Sequence, residues 1–194
     1  IRDRLILSQH IGDLANRRTL EVFQGELEAY KKLYGFEGGP GIICRDAHSG
    51  YGSIKLADER SSRIQSIYHH EAHLEALLAE HCPTRPALGV VCDGSGLGRD
   101  NSIWGGEFFL VDGLKRVRVG SLKPFRLPGG EQAIKEPRRS AFGMLHETYG
   151  SDAVIDPFVL REFTASVQRL ISTALNRGIN CPYTSSLGRL FDGL

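Results

Sequence analysis

Val90-Val91-Cys92-Asp93-Gly94-Ser95-Gly96-Leu97-Gly98 is the stretch on which the reading of the fold turns. An apolar strand, Leu88 to Cys92, runs onto an aspartate and then into glycines that alternate with Ser95 and Leu97. Alternating glycines let backbone N–H groups face an anion without side-chain obstruction, so Gly94, Ser95, Gly96 and Gly98 are candidate nucleotide- and phosphate-binding residues. The pattern is not GxGxxG, and it is not a Walker A loop, because Gly-Lys-Ser/Thr is missing. A polar turn at Arg99-Asp100-Asn101 and further strand, Ser102 to Trp104 and Glu107 to Val111, stand where a Rossmann unit needs a helix. Strands grouped around this loop, among helices elsewhere, predict an α/β fold with a mixed sheet.

Upstream lies Gln65-Ser66-Ile67-Tyr68-His69-His70-Glu71-Ala72-His73. His69 and His73 are four apart and share a helix face. Neutral imidazoles at that spacing suit zinc, iron or another transition ion, whereas a solvated or capping histidine turn is the bland alternative. His70 competes, since it stands three residues before His73. The segment is one residue short of HExxH, which disfavours a metalloprotease. Asp93, at the end of its strand, completes a two-histidine, one-carboxylate shell or else bonds its own loop in an Asx turn.

The chain has 194 residues, enough for one domain with a real core or two small lobes. A net charge of +1 gives no basic surface of the kind nucleic acid requires, and no apolar run approaches a membrane span. Cys44, Cys82, Cys92 and Cys181 are scattered, without CxxC spacing, which fits a reducing cytoplasm. Cys44 and Cys92 lie in apolar runs and are expected to be buried thiols.

Leu5 to Leu7 is strand-like; Thr19 is the expected cap of a helix ended by Gly35; Pro40 to Cys44 is a further strand. Ser53 to Arg63 reads as helix, Ile67-Tyr68 as strand, and His69 to His81 as helix with Ala72, Ala76, Leu77 and Ala79 available for packing. Arg116 to Leu122 is another strand. Gly129-Gly130 opens a helical tract to Tyr149 that Pro137 interrupts. Asp156-Pro157 starts a helix whose apolar face is Phe158, Phe163, Val167, Leu170, Ile171 and Leu175, with Gly178 beyond its end. Arg126, Lys135, Arg138 and Arg139 form a cationic cluster that suits a carboxylate or phosphate, or else a solvated face. Ser185-Ser186 is a capped helix start.

The strand, Asp-Gly-Ser-Gly loop and returning strand match the phosphate hairpin of the actin, Hsp70 and sugar-kinase superfamily. More specifically, the chain resembles the HypF carbamoyltransferases of [NiFe]-hydrogenase maturation. The matching pieces run in order: Leu7 to Leu14, His69 to His73, Asp93 to Gly98, Ile103 to Phe108, Leu127 to Gly130, Glu136-Pro137-Arg138, and Thr184 to Asp192. The resemblance is to the C-terminal domain, related to the tRNA threonylcarbamoyltransferases. It departs where Glu71 replaces the third histidine of H-H-H-A-H, where Arg138 stands for tryptophan, and where Ala47-His48-Ser49-Gly50-Tyr51 replaces Leu-His-Pro-Asp-Tyr.

The resemblance implies an incomplete actin/Hsp70/sugar-kinase-like fold over 1–194, a partial carbamoyltransferase domain truncated at both ends. It implies a divalent transition metal, zinc or iron, on His69, His73 and Asp93, a further aspartate ligand beyond Leu194, and Asp192 at the nucleotide ribose. Carbamoyl phosphate and ATP would yield carbamoyl adenylate, whose carbamoyl group passes to the C-terminal cysteine of a HypE-like acceptor protein. The fragment alone is expected to be inactive. Alternative readings are an O-carbamoyltransferase acting on a small hydroxylated molecule, and a non-catalytic module that docks HypE.

Overall fold

Helix α1, Arg17–Tyr34, is defined by its ends. Asn16 caps it by accepting from Arg18 N, and Gly35 closes it at φ 71°, a left-handed conformation that costs glycine nothing. Thr19, the expected cap, lies inside the first turn and donates to the Asn16 carbonyl at 2.8 Å, because Asn16 already does the capping. The computed structural model describes residues 6–35, 41–60, 63–150 and 161–194, and residues 6–10 form no strand. Leu5, Pro40 and the expected Asp156-Pro157-Phe158 helix start lie outside the described residues.

The chain divides into two compact units, Ile1–Ile67 and Tyr68–Leu194. In the first, β1 (Ile43–Asp46) pairs in parallel with β2 (Ile64–Ile67), from Ile43↔Ile64 to Asp46↔Ile67. A parallel pair requires a crossover, which α2 (Gly52–Arg60) provides. Ile54, Leu56 and Ala57 are buried residues of this helix.

The second unit opens with α3 (His69–His81), followed by β3 (Ala87–Leu97), β4 (Ile103–Asp112) and β5 (Lys115–Ser121), an antiparallel meander. The segment expected to be a glycine loop is instead the second half of β3. Its pairing with β4 runs from Ala87↔Val111 to Cys92↔Gly106, lapses, and resumes at Gly96↔Trp104. Cys92 to Gly96 thus faces only Gly106 to Trp104, a bulge that holds Asp93, Gly94 and Ser95 and bends the strand there. β4 also pairs in parallel with β7 (Tyr183–Thr184) at Ile103↔Thr184, and β6 (Phe125–Arg126) runs antiparallel to β7. Helices α4 (Glu131–Lys135), α5 (Arg138–Tyr149), α6 (Ala165–Arg177) and α7 (Leu187–Asp192) complete the unit, with Pro137 dividing α4 from α5 as expected. Thr164 caps α6 and Gly178 ends it at φ 66°.

Among the described residues, three clusters form the core of this second unit. α3 lays Leu74 on Val91, Trp104, Phe109 and Val111. Gly89 makes this approach possible, since a Cβ there would stand 2.4 Å from Leu74 Cδ1. The inward face of α3 is therefore His70, Leu74 and Leu78, at helical spacing, rather than the predicted alanines, and Leu77 is exposed. Phe142 packs with Phe163, Ile171, Leu175 and Cys181; Leu127 packs with Phe125 and Ala133. Leu170 points to solvent because Val167, Ile171, Ala174 and Leu175 form the inner face of α6. β3 alternates, with Gly89 and Val91 inward and Leu88, Val90 and Cys92 outward. Cys92 is accordingly exposed, as is Cys44 on β1, against the expectation of buried thiols.

Candidate metal centre

α3 begins without a side-chain cap at Tyr68, and its first residue is His69. One turn on, His73 brings its Nε2 to 3.2 Å from His69 Nε2. Asp93 enters from the bulge of β3. Its two oxygens divide the roles that the sequence left as alternatives. Oδ1 accepts from Gly94 N at 2.6 Å, a local turn bond, while Oδ2 lies 2.9 Å from His69 Nε2. One donor atom from each of the three residues falls within 4.8 Å of the others, and no other such group occurs among the described residues.

The donor set fits a transition ion. Zinc–ligand bonds of about 2.0–2.1 Å at tetrahedral angles place neighbouring donors about 3.3 Å apart. The spacings of 3.2 and 2.9 Å are close to that. Asp93 Oδ2 is buried and, 2.9 Å from His69 Nε2, accepts no well-aligned hydrogen bond, a deficit that a cation between them would satisfy. The side chains of His69 and Asp93 remain 36% and 28% exposed, so the cluster opens to solvent on one side.

His70, the competing ligand, turns inward instead. It is fully buried, with Nε2 3.9 Å from Asp93 Oδ2, beyond hydrogen-bond range. Burial lowers its pKa below the ordinary histidine value; the Asp93 carboxylate opposes this, and His69 reinforces it. The glycines explain its position. A Cβ on Gly96 would stand 2.6 Å from His70 Cε1, and one on Gly98 would stand 2.1 Å from Trp104 Nε1. Gly96 and Gly98 thus make room for two aromatic side chains under the centre. Gly94 has nothing nearer to such a Cβ than Arg189 Nη2, at 4.0 Å, and Ser95 is exposed.

The third contributor is the start of α7. Ser186, fully buried, caps the helix by accepting from Arg189 N at 3.1 Å, and its hydroxyl faces the carbonyls of Asp93 at 3.0 Å and Gly94 at 2.6 Å. Gly188 lets the helix approach, since a Cβ there would be 2.8 Å from Gly94 Cα. Asp192 reaches this region through Arg189, whose Nη1 is 2.7 Å from its Oδ2. Behind lies Glu107, a fully buried carboxylate that accepts from Ser185 Oγ and, at 2.5 Å, from Arg118 Nε. The sequence reading missed Ser186, Arg189 and Glu107 as neighbours of the centre. The available signal was Gly188, a residue disfavoured in a helix and so a mark of close approach. Three of the four cations in the cluster have local partners: Arg126 is 3.2 Å from Glu147, and Arg138 and Arg139 are 3.4 and 3.0 Å from Glu136.

Comparison with known proteins covers most of the chain. Residues 1–80 match the family described as the HypF Kae1-like domain, and residues 89–194 match the carbamoyltransferase, Kae1-like domain, second subdomain. Carbamoyltransferase HypF of Synechocystis sp. is 35% identical over 207 residues, an alignment that covers 100% of this chain and 27% of that protein. Carbamoyltransferase HypF2 of Cupriavidus necator is 37% identical, with 98% of this chain and 23% of that protein covered. A crystal structure of full-length HypF in the phosphate- and nucleotide-bound form superposes with a TM-score of 0.84 at 33% identity, over 96% of this chain and 24% of that one. The crystal structure of T. kodakarensis HypF gives 0.81 at 28% identity, over 96% and 26%. The chain thus spans about a quarter of the length of these relatives. The structural likeness bears out the expected α/β fold of the actin/Hsp70/sugar-kinase type, a mixed sheet with flanking helices. No helix among the described residues is long and apolar enough to cross a membrane.

Proposed function

Because the chain belongs to the HypF carbamoyltransferase family, through that family's Kae1-like domain, we propose that it forms the metal- and nucleotide-binding part of a carbamoyl-transfer site. The observation that carries this reading is the convergence of His69, His73 and Asp93 beside the open edge of Gly94 and Ser95. The substrate is carbamoyl adenylate, made from carbamoyl phosphate and ATP, and the acceptor is the C-terminal cysteine thiol of a HypE-like protein. A relative crystallised with phosphate and nucleotide supports the substrate class.

His69, His73 and Asp93 would hold zinc or iron, which as a Lewis acid polarises an acyl or phosphoryl oxygen. Gly94 and Ser95 offer backbone where no side chain obstructs an anion. Arg189, with Nη2 toward Gly94, sets a permanent positive charge beside it, and Asp192 fixes that guanidinium. In the transfer, the thiol sulfur bonds to the carbamoyl carbon, the bond from that carbon to the phosphate oxygen breaks, AMP leaves, and the thiol proton passes to solvent. The nucleophile comes from the partner, so this chain needs to supply binding, orientation and charge rather than an attacking group.

The test uses the full-length protein with carbamoyl phosphate, ATP and the acceptor, and reads carbamoylation of the acceptor's C-terminal cysteine by mass spectrometry. His69→Ala and His73→Ala each abolish the modification. Transfer that survives both replacements refutes the reading.

A further inference from the structure

A helix cap needs one accepted hydrogen bond, and Ser186 does more than that. Its oxygen takes the Arg189 N–H, which leaves its own hydrogen for the carbonyls of Asp93 and Gly94 in a strand far away in sequence. Those carbonyls belong to the bulge, where the β3–β4 ladder lapses between Cys92 and Gly96. The surroundings are built for this contact. A Cβ on Gly105 would fall 2.5 Å from the Asp93 carbonyl and 2.8 Å from Ser186 Cβ, and one on Gly188 would fall 2.8 Å from Gly94 Cα. The Asp93–Gly94 peptide is therefore gripped between β4 and α7 with no side chain interposed. Ser185, bonded to buried Glu107 and through its N–H to the Ile103 carbonyl at 3.0 Å, holds the gripping residue in place.

We infer that Ser186 is a positioning residue for the metal centre: its grip on the Asp93–Gly94 backbone aims the Asp93 carboxylate at His69. This rests on the metal reading proposed above. A ligand's affinity for an ion depends on how firmly its outer partners orient it, typically by 10–100-fold. Ser186 acts on the backbone next to the carboxylate, so its effect belongs at the lower end, about tenfold. Coupling is reciprocal: an ion that fixes Asp93 must also steady the start of α7.

The experiment titrates the chain with Zn2+ against a chromophoric chelator. Ser186→Ala raises the dissociation constant about tenfold. Thr164→Ala, which removes the cap bond accepted from Val167 N at 3.4 Å in α6, leaves it unchanged although it also costs a helix cap. A folded Ser186→Ala chain with unaltered affinity overturns the assignment. Should Ser186→Ala fail to fold, amide hydrogen exchange on the unaltered chain decides. Zn2+ slows exchange at Arg189 and Leu190 as well as in the first turn of α3; protection confined to α3 overturns the assignment. If the unaltered chain takes up neither Zn2+ nor Fe2+, the metal reading itself falls and this assignment falls with it, whereas uptake without any response in α7 removes this assignment alone.

Discussion

Gly96 separates two physical explanations for the same residue, and a double-variant cycle decides between them. If Gly96 exists to bare its backbone to a phosphate, alanine there harms ligand binding whatever occupies position 70. If it exists to seat His70, the damage is steric and disappears with the imidazole. A Cβ at residue 96 would stand 2.6 Å from His70 Cε1, 2.8 Å from its Nδ1 and 3.0 Å from His69 Cβ. Carbon contacts settle at about 3.5–4.0 Å, so the deficit approaches an ångström. His70 has no exposed surface into which to retreat, and Trp104 stands beside it with ring centroids 6.1 Å apart. Overpacking of this kind costs about 1–3 kcal/mol. His70→Ala alone loses packing, but it also removes two buried ring nitrogens that have no hydrogen-bond partner, so its net cost is about 1–2 kcal/mol. In the double variant the new methyl enters the vacated space, and the two changes compensate by about 1–3 kcal/mol. Urea unfolding followed by far-UV circular dichroism, and in parallel by fluorescence of the single tryptophan, Trp104, measures the four stabilities. Additivity within about 0.5 kcal/mol would refute the packing explanation.

Three further expectations follow from the same geometry. Asp93→Asn weakens Zn2+ binding by more than about a hundredfold, beyond the effect of an outer partner, as read by chelator competition. Glu107→Ala strips the acceptor from Arg118 and Ser185; the cost lies toward the low end of about 3–5 kcal/mol, since Arg118 is 31% exposed and keeps Asp100 at 3.7 Å, and urea unfolding reads it. For Asp100, burial raises the pKa, but hydrogen bonds from Ser102 and Trp104, with Arg118, outweigh it and hold the carboxyl below the usual range. Its contribution to stability is present above the unfolded-state value near 3.9 and is lost as pH falls through the lower folded value, so Asp100→Asn flattens the dependence of the thermal midpoint on pH below about 4.

Helices with strong punctuation were legible in the sequence. The helix of His69 to His81, the closures at Gly35 and Gly178 and the break at Pro137 all stand where helical pattern, glycine and proline placed them. What failed was the inference from apolar run to buried strand. β3 reads as uniformly apolar from Leu88 to Cys92, yet its pleat sends Leu88, Val90 and Cys92 outward, and only tertiary packing by α3 chooses which face is inside. The same override moved the inner face of α3 from its alanines to His70, Leu74 and Leu78, because Gly89 opens a gap that Leu74 fills.

The candidate centre shows a further limit. The convergence of His69 and His73 was legible because four-residue spacing on a helix fixes which side chains share a face, whatever they pack against. The glycines were not, because glycine marks close approach without saying what approaches. Read as one set they suggested one job, an anion cradle. In the fold they differ: Gly96 seats His70 and Gly98 seats Trp104, whereas a Cβ on Gly94 would meet nothing nearer than Arg189 Nη2 at 4.0 Å. Two of the three glycines are thus the footprint of packing on one bent strand, and Gly94 keeps an open edge. The bend itself comes from the bulge, which lets Asp93 face His69 while Gly96 still pairs with Trp104. Removing one residue from the bulge keeps Asp93 on the face of Gly89 and Val91 but slides Leu97 into the place where Gly96 seats His70, directly beneath the donors. Deleting Ser95 should therefore abolish Zn2+ uptake without touching any of the three donors, and a deletion variant that binds Zn2+ as the unaltered chain does would show that the bulge is incidental to the centre.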